Sequence, residues 1–339
     1  DREAELAQAW AGIDVPDDTI RTLFVPLGLA FTRDGPDFIV TPPTYRFDLA
    51  IEEDLVEEVA RLVGYDTIPA KPSAHVQIML PEPETALSAV SLKRRLVARD
   101  WQEAITFSFV SSAAEAALFP DRDPKGAPIA IQNPIATHLD VMRTTLAGGL
   151  LDVLRTNLAR QHDRIRVFEV GRCFLRDGNE GGDQPLRIGG LAYGPAVPEQ
   201  WGIARRPVDF HDVKGDLEAL VAPRTLSTAA RPHPLLHPGR SAEVRLEGES
   251  VGWLGELHPR IAKALELPRA PVVFELDLAP LLRQALPAAQ AVSKLPVVRR
   301  DFAVVVDEAI TAADLLDALG AAKPARVLEL RLFDLYRGP

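Results

Sequence analysis

A single cysteine, Cys173, stands in 339 residues. It rules out an internal disulfide and fits a reducing compartment. No apolar run approaches the roughly 20 residues needed to cross a bilayer, so no membrane association is expected. The opening Asp1-Arg-Glu-Ala-Glu carries no apolar core of a secretion signal. It also lacks an initiator Met, and the chain stops just after Arg337-Gly338; both suggest a piece of a longer protein. The net charge of −10 excludes a surface broadly devoted to nucleic acid, so any RNA contact has to be local. Dinucleotide-binding glycine fingerprints, a Walker A loop, a Gly-x-Ser-x-Gly elbow and His-Glu-x-x-His are all absent. What is plentiful is proline: 29 residues, about twice the usual share, gathered in connectors such as Pro81/Pro83 and Pro232/Pro234/Pro238. The length predicts two or three domains with real cores.

The most informative stretch runs from Arg46-Phe47-Asp48 through Ile51-Glu-Glu-Asp54-Leu-Val-Glu57-Glu58-Val-Ala-Arg61. From Ile51 it predicts a helix, with Leu55, Val59 and Leu62 on one face and Val56 and Val63 broadening that face. At about 100° per residue, Asp54, Glu57 and Glu58 share part of the opposite face, and Asp48 sits just before the first turn. Four oxygen donors without His or Cys suit a hard cation, Mg²⁺ or Ca²⁺, better than zinc. The competing reading needs no metal. Asp48 can be the N-cap, and acids in a first turn gain about 0.3–1 kcal/mol each from the helix dipole. Like charges three or four residues apart cost only about 0.2–0.5 kcal/mol per pair. On pattern alone the solvated face is favoured.

Along the chain, residues 1–72 form a first unit. Leu6, Trp10 and Ile13 precede a helix through Ile20, Leu23 and Leu27, capped by Asp17-Asp18 and stopped at Gly28. A hairpin with its turn at Asp34-Gly35 follows, then the acidic helix, an order that suggests a winged-helix-like module. Residues 73–85 read as a linker. From 86 to 290, helices are predicted at 87–100, 146–161, 212–221 and 259–265. Strands are predicted at 104–110, 164–170, 187–193, 242–246, 250–257 and 271–278, which together make an α+β domain. Residues 293–339 predict strand 301–306, helix 312–319 and strand 327–335, half of a ferredoxin-like fold.

Several stretches together resemble the β subunit of bacterial phenylalanyl-tRNA synthetase. They include Thr41-Pro-Pro-Thr-Tyr-Arg46-Phe-Asp48, the acidic helix closing on Gly64-Tyr65, Ile105-Thr-Phe-Ser-Phe-Val and Asn157-Leu-Ala-Arg160-Gln161. Phe168-Glu169-Val-Gly171, Asp209-Phe-His-Asp212-Val-Lys214-Gly-Asp216, Leu236-His-Pro-Gly-Arg240 and Leu332-Phe-Asp334-Leu-Tyr-Arg337 extend the match over nearly the whole chain. The resemblance implies a class II synthetase-like antiparallel domain, a truncated ferredoxin-fold anticodon-binding domain, and cytoplasmic (αβ)₂ assembly. It implies an α subunit that binds ATP and phenylalanine, contact with tRNA(Phe) through the C-terminal domain, and an editing site upstream of Asp1. It also implies Mg²⁺ on Asp48, Asp54, Glu57 and Glu58.

A working class II site needs two arginine-bearing motifs to clamp ATP phosphates. Here the nearest match to the first, Met142-Arg143-Thr144-Thr145, lacks its acid, and residues 250–290 hold no match to the second. The domain is therefore expected to lack catalytic residues, with Arg143 structural. A non-catalytic interaction scaffold or paralogue reusing these folds is the rival reading, and a self-sufficient amino-acid ligase is disfavoured by the missing arginines. His233, His237 and His258, in proline-flanked loops, do not form a zinc pattern, and Cys173 reads as structural. Asp209 to Glu218 reads first as a packing helix. Lys294, Arg299 and Arg300 are the compact basic cluster, either a solvated strand start or a tRNA phosphate contact.

Overall fold

The computed structural model describes residues 15–35, 37–68, 83–176, 182–286, 289 and 294–337. The chain divides into two units, Asp1–Pro81 and Glu82–Pro339, each taken by itself. Leu6, Trp10, Ile13 and residues 73–82 of the expected linker lie outside the described residues.

In the first unit, helix α1 (Asp17–Phe24) leads to the hairpin β1 (Ala30–Asp34) and β2 (Asp37–Thr41), and then to α2 (Glu52–Val63). Ile20 and Phe24, one turn apart, bury the face of α1. Asp17 and Asp18 lie in the first helical turn; the N-cap is Pro16, without a side-chain cap. Gly28, at φ +67°, takes the left-handed conformation that ends the helix segment. Phe24, Phe31 and Phe38 meet edge-on or tilted at 5.6–6.0 Å and fill the centre, joined by Leu29, Leu49 and Val59. On α2 the inward line is Leu55, Val59 and Val63. Leu62, expected there, is exposed, because it falls one position off that line.

In the second unit come α3 (Ala89–Val97), β3 (Gln102–Glu103), β4 (Phe109–Val110), α4 (Ser112–Leu118), β5 (Val141–Met142) and α5 (Ala147–Ala159). Then follow β6 (Ile165–Arg172), β7 (Leu186–Tyr193), α6 (Phe210–Val221), β8 (Leu226–Ala230), β9 (Leu236–Leu246) and β10 (Glu249–Leu257). The unit continues with α7 (Pro259–Ala264), β11 (Val272–Asp277), α8 (Leu278–Leu281) and α9 (Ala312–Ala322). Seven strands form one sheet in the order β3-β6-β7-β11-β10-β9-β8. Every pairing is antiparallel except β3 with β6.

Alternation along the strands gives the sheet two buried faces. Phe168, Ile188 and Phe274 pack with Leu92 and Leu96 of α3 and Leu217 and Leu220 of α6. Their neighbours Val167, Leu191 and Val273 pack with Leu150 and Leu154 of α5 and Ile261 of α7. Gly190 lies where a Cβ would come 2.3 Å from the Phe274 ring, so the aromatic layer can close only over a glycine. The β9–β10 hairpin turns at Glu247-Gly248, both at positive φ as a type I′ turn requires.

Strand expectations fail at two places in this unit. Residues 104–108 are not strand: only Gln102–Glu103 and Phe109–Val110 pair, each with a different partner. The in–out alternation is present, with Ile105 and Phe107 exposed and Thr106 turned inward, but no ladder runs beside it. Strands at 301–306 and 327–335 are also absent. Among the described residues of 294–337 only α9 forms, and it buries none of its residues. Strand-like sequence forms no strand without a hydrogen-bonded neighbour, and Phe302, Val305 and Phe333 stand in solvent.

Candidate functional site

The acidic face of α2 is organised by an arginine. Arg46 lies in the loop between β2 and α2, where a turn fixes its backbone: its N–H donates to the Pro43 carbonyl at 2.9 Å. Its guanidinium donates to both oxygens of Asp48, Nε to Oδ1 at 3.0 Å and Nη2 to Oδ2 at 2.8 Å. The same Nη2 reaches Glu58 Oε1 at 2.8 Å, and Arg61 Nη2 donates to Glu58 Oε2 at 2.5 Å. Asp54 points elsewhere. Its Oδ2 accepts from the backbone N–H groups of Ala50 (2.7 Å) and Ile51 (2.9 Å), so it caps a helix whose N-cap residue, Ile51, has no acceptor of its own. Glu57 is exposed.

These contacts set the charges. Arg46 beside Asp48 and Glu58 is held firmly protonated, and Arg46 in turn lowers the Asp48 carboxyl. The N–H groups of Ile51 and Ala50 lower Asp54. Burial works to raise Glu58, but the hydrogen bonds from Arg61 and Arg46 outweigh it and hold it below the ordinary value. Of the four residues singled out in the sequence, Asp48 and Glu58 are brought together, around a guanidinium. Asp54 serves the backbone, and Glu57 faces solvent. Among the described residues no group of three or more His, Cys, Asp or Glu gathers to hold a metal. In this arrangement the four carboxylates do not fit a magnesium ion, because Arg46 already supplies the positive charge between two of them.

The second charged centre lies in the sheet unit. Arg143 is buried, and its Nη1 donates to Glu169 Oε1 at 2.7 Å and to Thr106 Oγ1 at 3.0 Å, while its Nε donates to the Arg172 carbonyl at 2.9 Å. Gly171 makes the room: a Cβ there would stand 2.2 Å from the guanidinium. Next to it, Glu275 accepts from Thr145 Oγ1 and the Leu146 N–H, both at 2.6 Å, and so caps α5 from β11. Its other oxygen takes Arg187 Nη1 at 2.7 Å, and Arg187 Nε continues to Asp277 at 3.0 Å. Arg143 is thus spent on internal partners.

Most of the other residues singled out in the sequence also have internal partners. Asp216, buried on α6, accepts from Trp101 Nε1 (2.9 Å), Arg99 Nε (2.6 Å) and Arg166 Nη1 (2.7 Å). Lys214 pairs with Glu218 one turn on. Through Nδ1, His237 and His258 accept from the backbone of Gly239 and Arg260. His233 stacks on Trp253 at 4.5 Å, and burial, helped by Arg187, lowers its pKa to about 4. Burial and nearby Glu275 push the Cys173 thiol up to about 12. Lys294, Arg299 and Arg300 are exposed. The sequence pattern named Glu169 only within a matching stretch and gave no role to Glu275 or Arg187; the available signal was a lone charge at an inward position of an apolar strand, as in Val-Val-Phe-Glu275-Leu.

A nearly all-antiparallel sheet covered on both faces by helices, with Arg143 turned inward, defines a mixed α+β domain. The particular family follows from comparison. The family described as "Phenylalanyl tRNA synthetase beta chain CLM domain" matches residues 68–278, and this chain belongs to it. "tRNA synthetase B5 domain" matches residues 2–65, and "Ferredoxin-fold anticodon binding domain" matches 293–339. The phenylalanine–tRNA ligase beta subunit of Burkholderia lata is 49% identical over 96% of this chain and 41% of its own length. That of Thiobacillus denitrificans is 48% identical over 97% of this chain and 41% of its own. That of Ralstonia nicotianae is 47% identical over 96% and 41%. The chain therefore spans about 41% of the length of these relatives.

Proposed function

We propose that this chain is part of a phenylalanine–tRNA ligase beta subunit and scaffolds a catalytic alpha subunit. That subunit binds ATP and phenylalanine and attaches the amino acid to tRNA(Phe) in the cytoplasm. The observation that carries the reading is the family match over residues 68–278, joined to an Arg143 committed to Glu169. In this reading residues 1–72 act as a winged-helix-like module, 73–85 as a linker, 86–290 as the catalytic-like scaffold, and 293–339 as part of the domain that meets tRNA. Magnesium on Asp48, Asp54, Glu57 and Glu58 enters only for an assembled state in which Arg46 has turned away and Asp54 has released its cap. The test is co-expression with a phenylalanine–tRNA ligase alpha subunit. Copurification supports the reading; a chain that stays alone while folded favours an unrelated scaffold reusing the same folds.

A further inference from the structure

We propose that Arg46 is the resident cation of the acidic face, fastening the loop at residues 42–51 to α2 and barring divalent ions from Asp48 and Glu58. Four features of the geometry support this. The guanidinium grips Asp48 through two nitrogens and shares one of them with Glu58, so one side chain bridges the loop and a residue ten positions further along the chain. Both oxygens of Glu58 are taken, the second by Arg61, and Asp54 Oδ2 is taken twice by backbone. The Arg46 side chain is only 19% exposed and Glu58 only 11%, so the cationic fork is packed in place. The backbone turn from Pro43 to Arg46 and the burial of Leu49 just beyond it aim that fork at the helix.

A planar fork with fixed donors matches two carboxylates without the dehydration that Mg²⁺ demands. A divalent ion entering between Asp48 and Glu58 would meet a like charge at contact distance, beside a largely buried Glu58. The acidic face is therefore complete without metal. The inference draws on the proposed function only for the choice of magnesium as the competing ion.

The experiment titrates the whole chain, wild type and Arg46→Gln, with MgCl₂ and with Mn²⁺ as a spectroscopic probe. Hydrogen exchange of residues 42–51 is followed in parallel, with and without chelator. Wild type should show no saturable binding at millimolar ion, and its loop exchange should be the same in chelator and in magnesium. Arg46→Gln should bind at least about tenfold more tightly, with a loop that exchanges faster in chelator and is slowed by the ion. Adding Asp48→Asn to Arg46→Gln should abolish the gain. If Arg46→Gln does not fold, Arg46→Lys carries the test: it keeps a charge but loses the fork, and should bind ions measurably more tightly than wild type. An Arg46 variant that binds no more tightly than wild type, or a wild type that saturates with magnesium unaided, overturns the proposal. Copurification with an alpha subunit is read separately, so the two ideas can fail independently.

Discussion

Arg46 and Arg143 form nearly the same chemical group in two settings. Each is a guanidinium bonded to a carboxylate within 3.0 Å. Asp48, however, is half exposed, whereas the side chains of Arg143 and Glu169 are 5% and 3% exposed under α5 and the sheet. Charges buried to that extent cannot be exchanged for water or for a ligand without leaving a bare partner. The Arg46 pair keeps solvent on one side and can be rearranged. One arginine is a lock and the other a latch, and burial, not residue type, separates them.

The largest expected effect comes from breaking the lock. Arg143→Met leaves Glu169 buried and unpaired, and should cost about 3–5 kcal/mol in urea unfolding. Joining it to Glu169→Leu should recover much of that loss, since no lone charge then remains. A comparable penalty in the double variant would mean that the pair itself, not the orphaned charge, sustains the fold.

His233, on the same buried side near Arg187, reports how dry that face is. Below pH 6.5 the unfolded chain takes up a proton that the folded chain refuses until about pH 4. Stability should therefore fall with pH across the interval from 6.5 to 4, by up to about 3 kcal/mol, and this part of the decline should vanish in His233→Phe. Parallel curves for the two proteins would show an exposed, ordinary imidazole. Cys173 gives a kinetic view of the same region. With its thiol pushed up to about 12, it should react with a thiol reagent at pH 8 only at the rate of unfolding. Fast labelling of folded protein would mean that the face opens.

The smallest effects belong to the latch. Molar salt should lower the protection of residues 42–51 against hydrogen exchange and leave β6 and β11 unchanged. Asp54→Ala should fray the first turn of α2 while the aromatic centre of that unit persists, read as faster exchange confined to residues 50–55.

Much of the architecture was legible because period-2 and period-3.6 patterns report burial directly. The strands β6, β7, β10 and β11 and the helices α5 and α6 lie within a few residues of expectation, and Glu247-Gly248 announces its turn. β8 escaped because Leu-Ser-Thr-Ala-Ala is a weak strand pattern on the sheet edge. Residues 301–306 misled for the opposite reason: their pattern is strong, but strand formation depends on a neighbour that local sequence cannot supply. At the acidic face the residue types were readable and their spacing was right. Which carboxylate serves the backbone and which serves Arg46 was not, because Ile51 falls at the N-cap and draws Asp54 into capping. At the sheet, spacing separated charges that the fold brings together, as with Arg143 and Glu169, 26 residues apart.

With Arg143 closed into the interior against Glu169, the sheet unit as we propose it supports a catalytic partner and does not itself activate an amino acid. The most direct measurement is phenylalanine-dependent ATP–pyrophosphate exchange by the purified chain, free of any alpha subunit. No exchange above background is predicted, at any concentration of ATP and phenylalanine. Sustained exchange that scales with the amount of this chain would contradict the account.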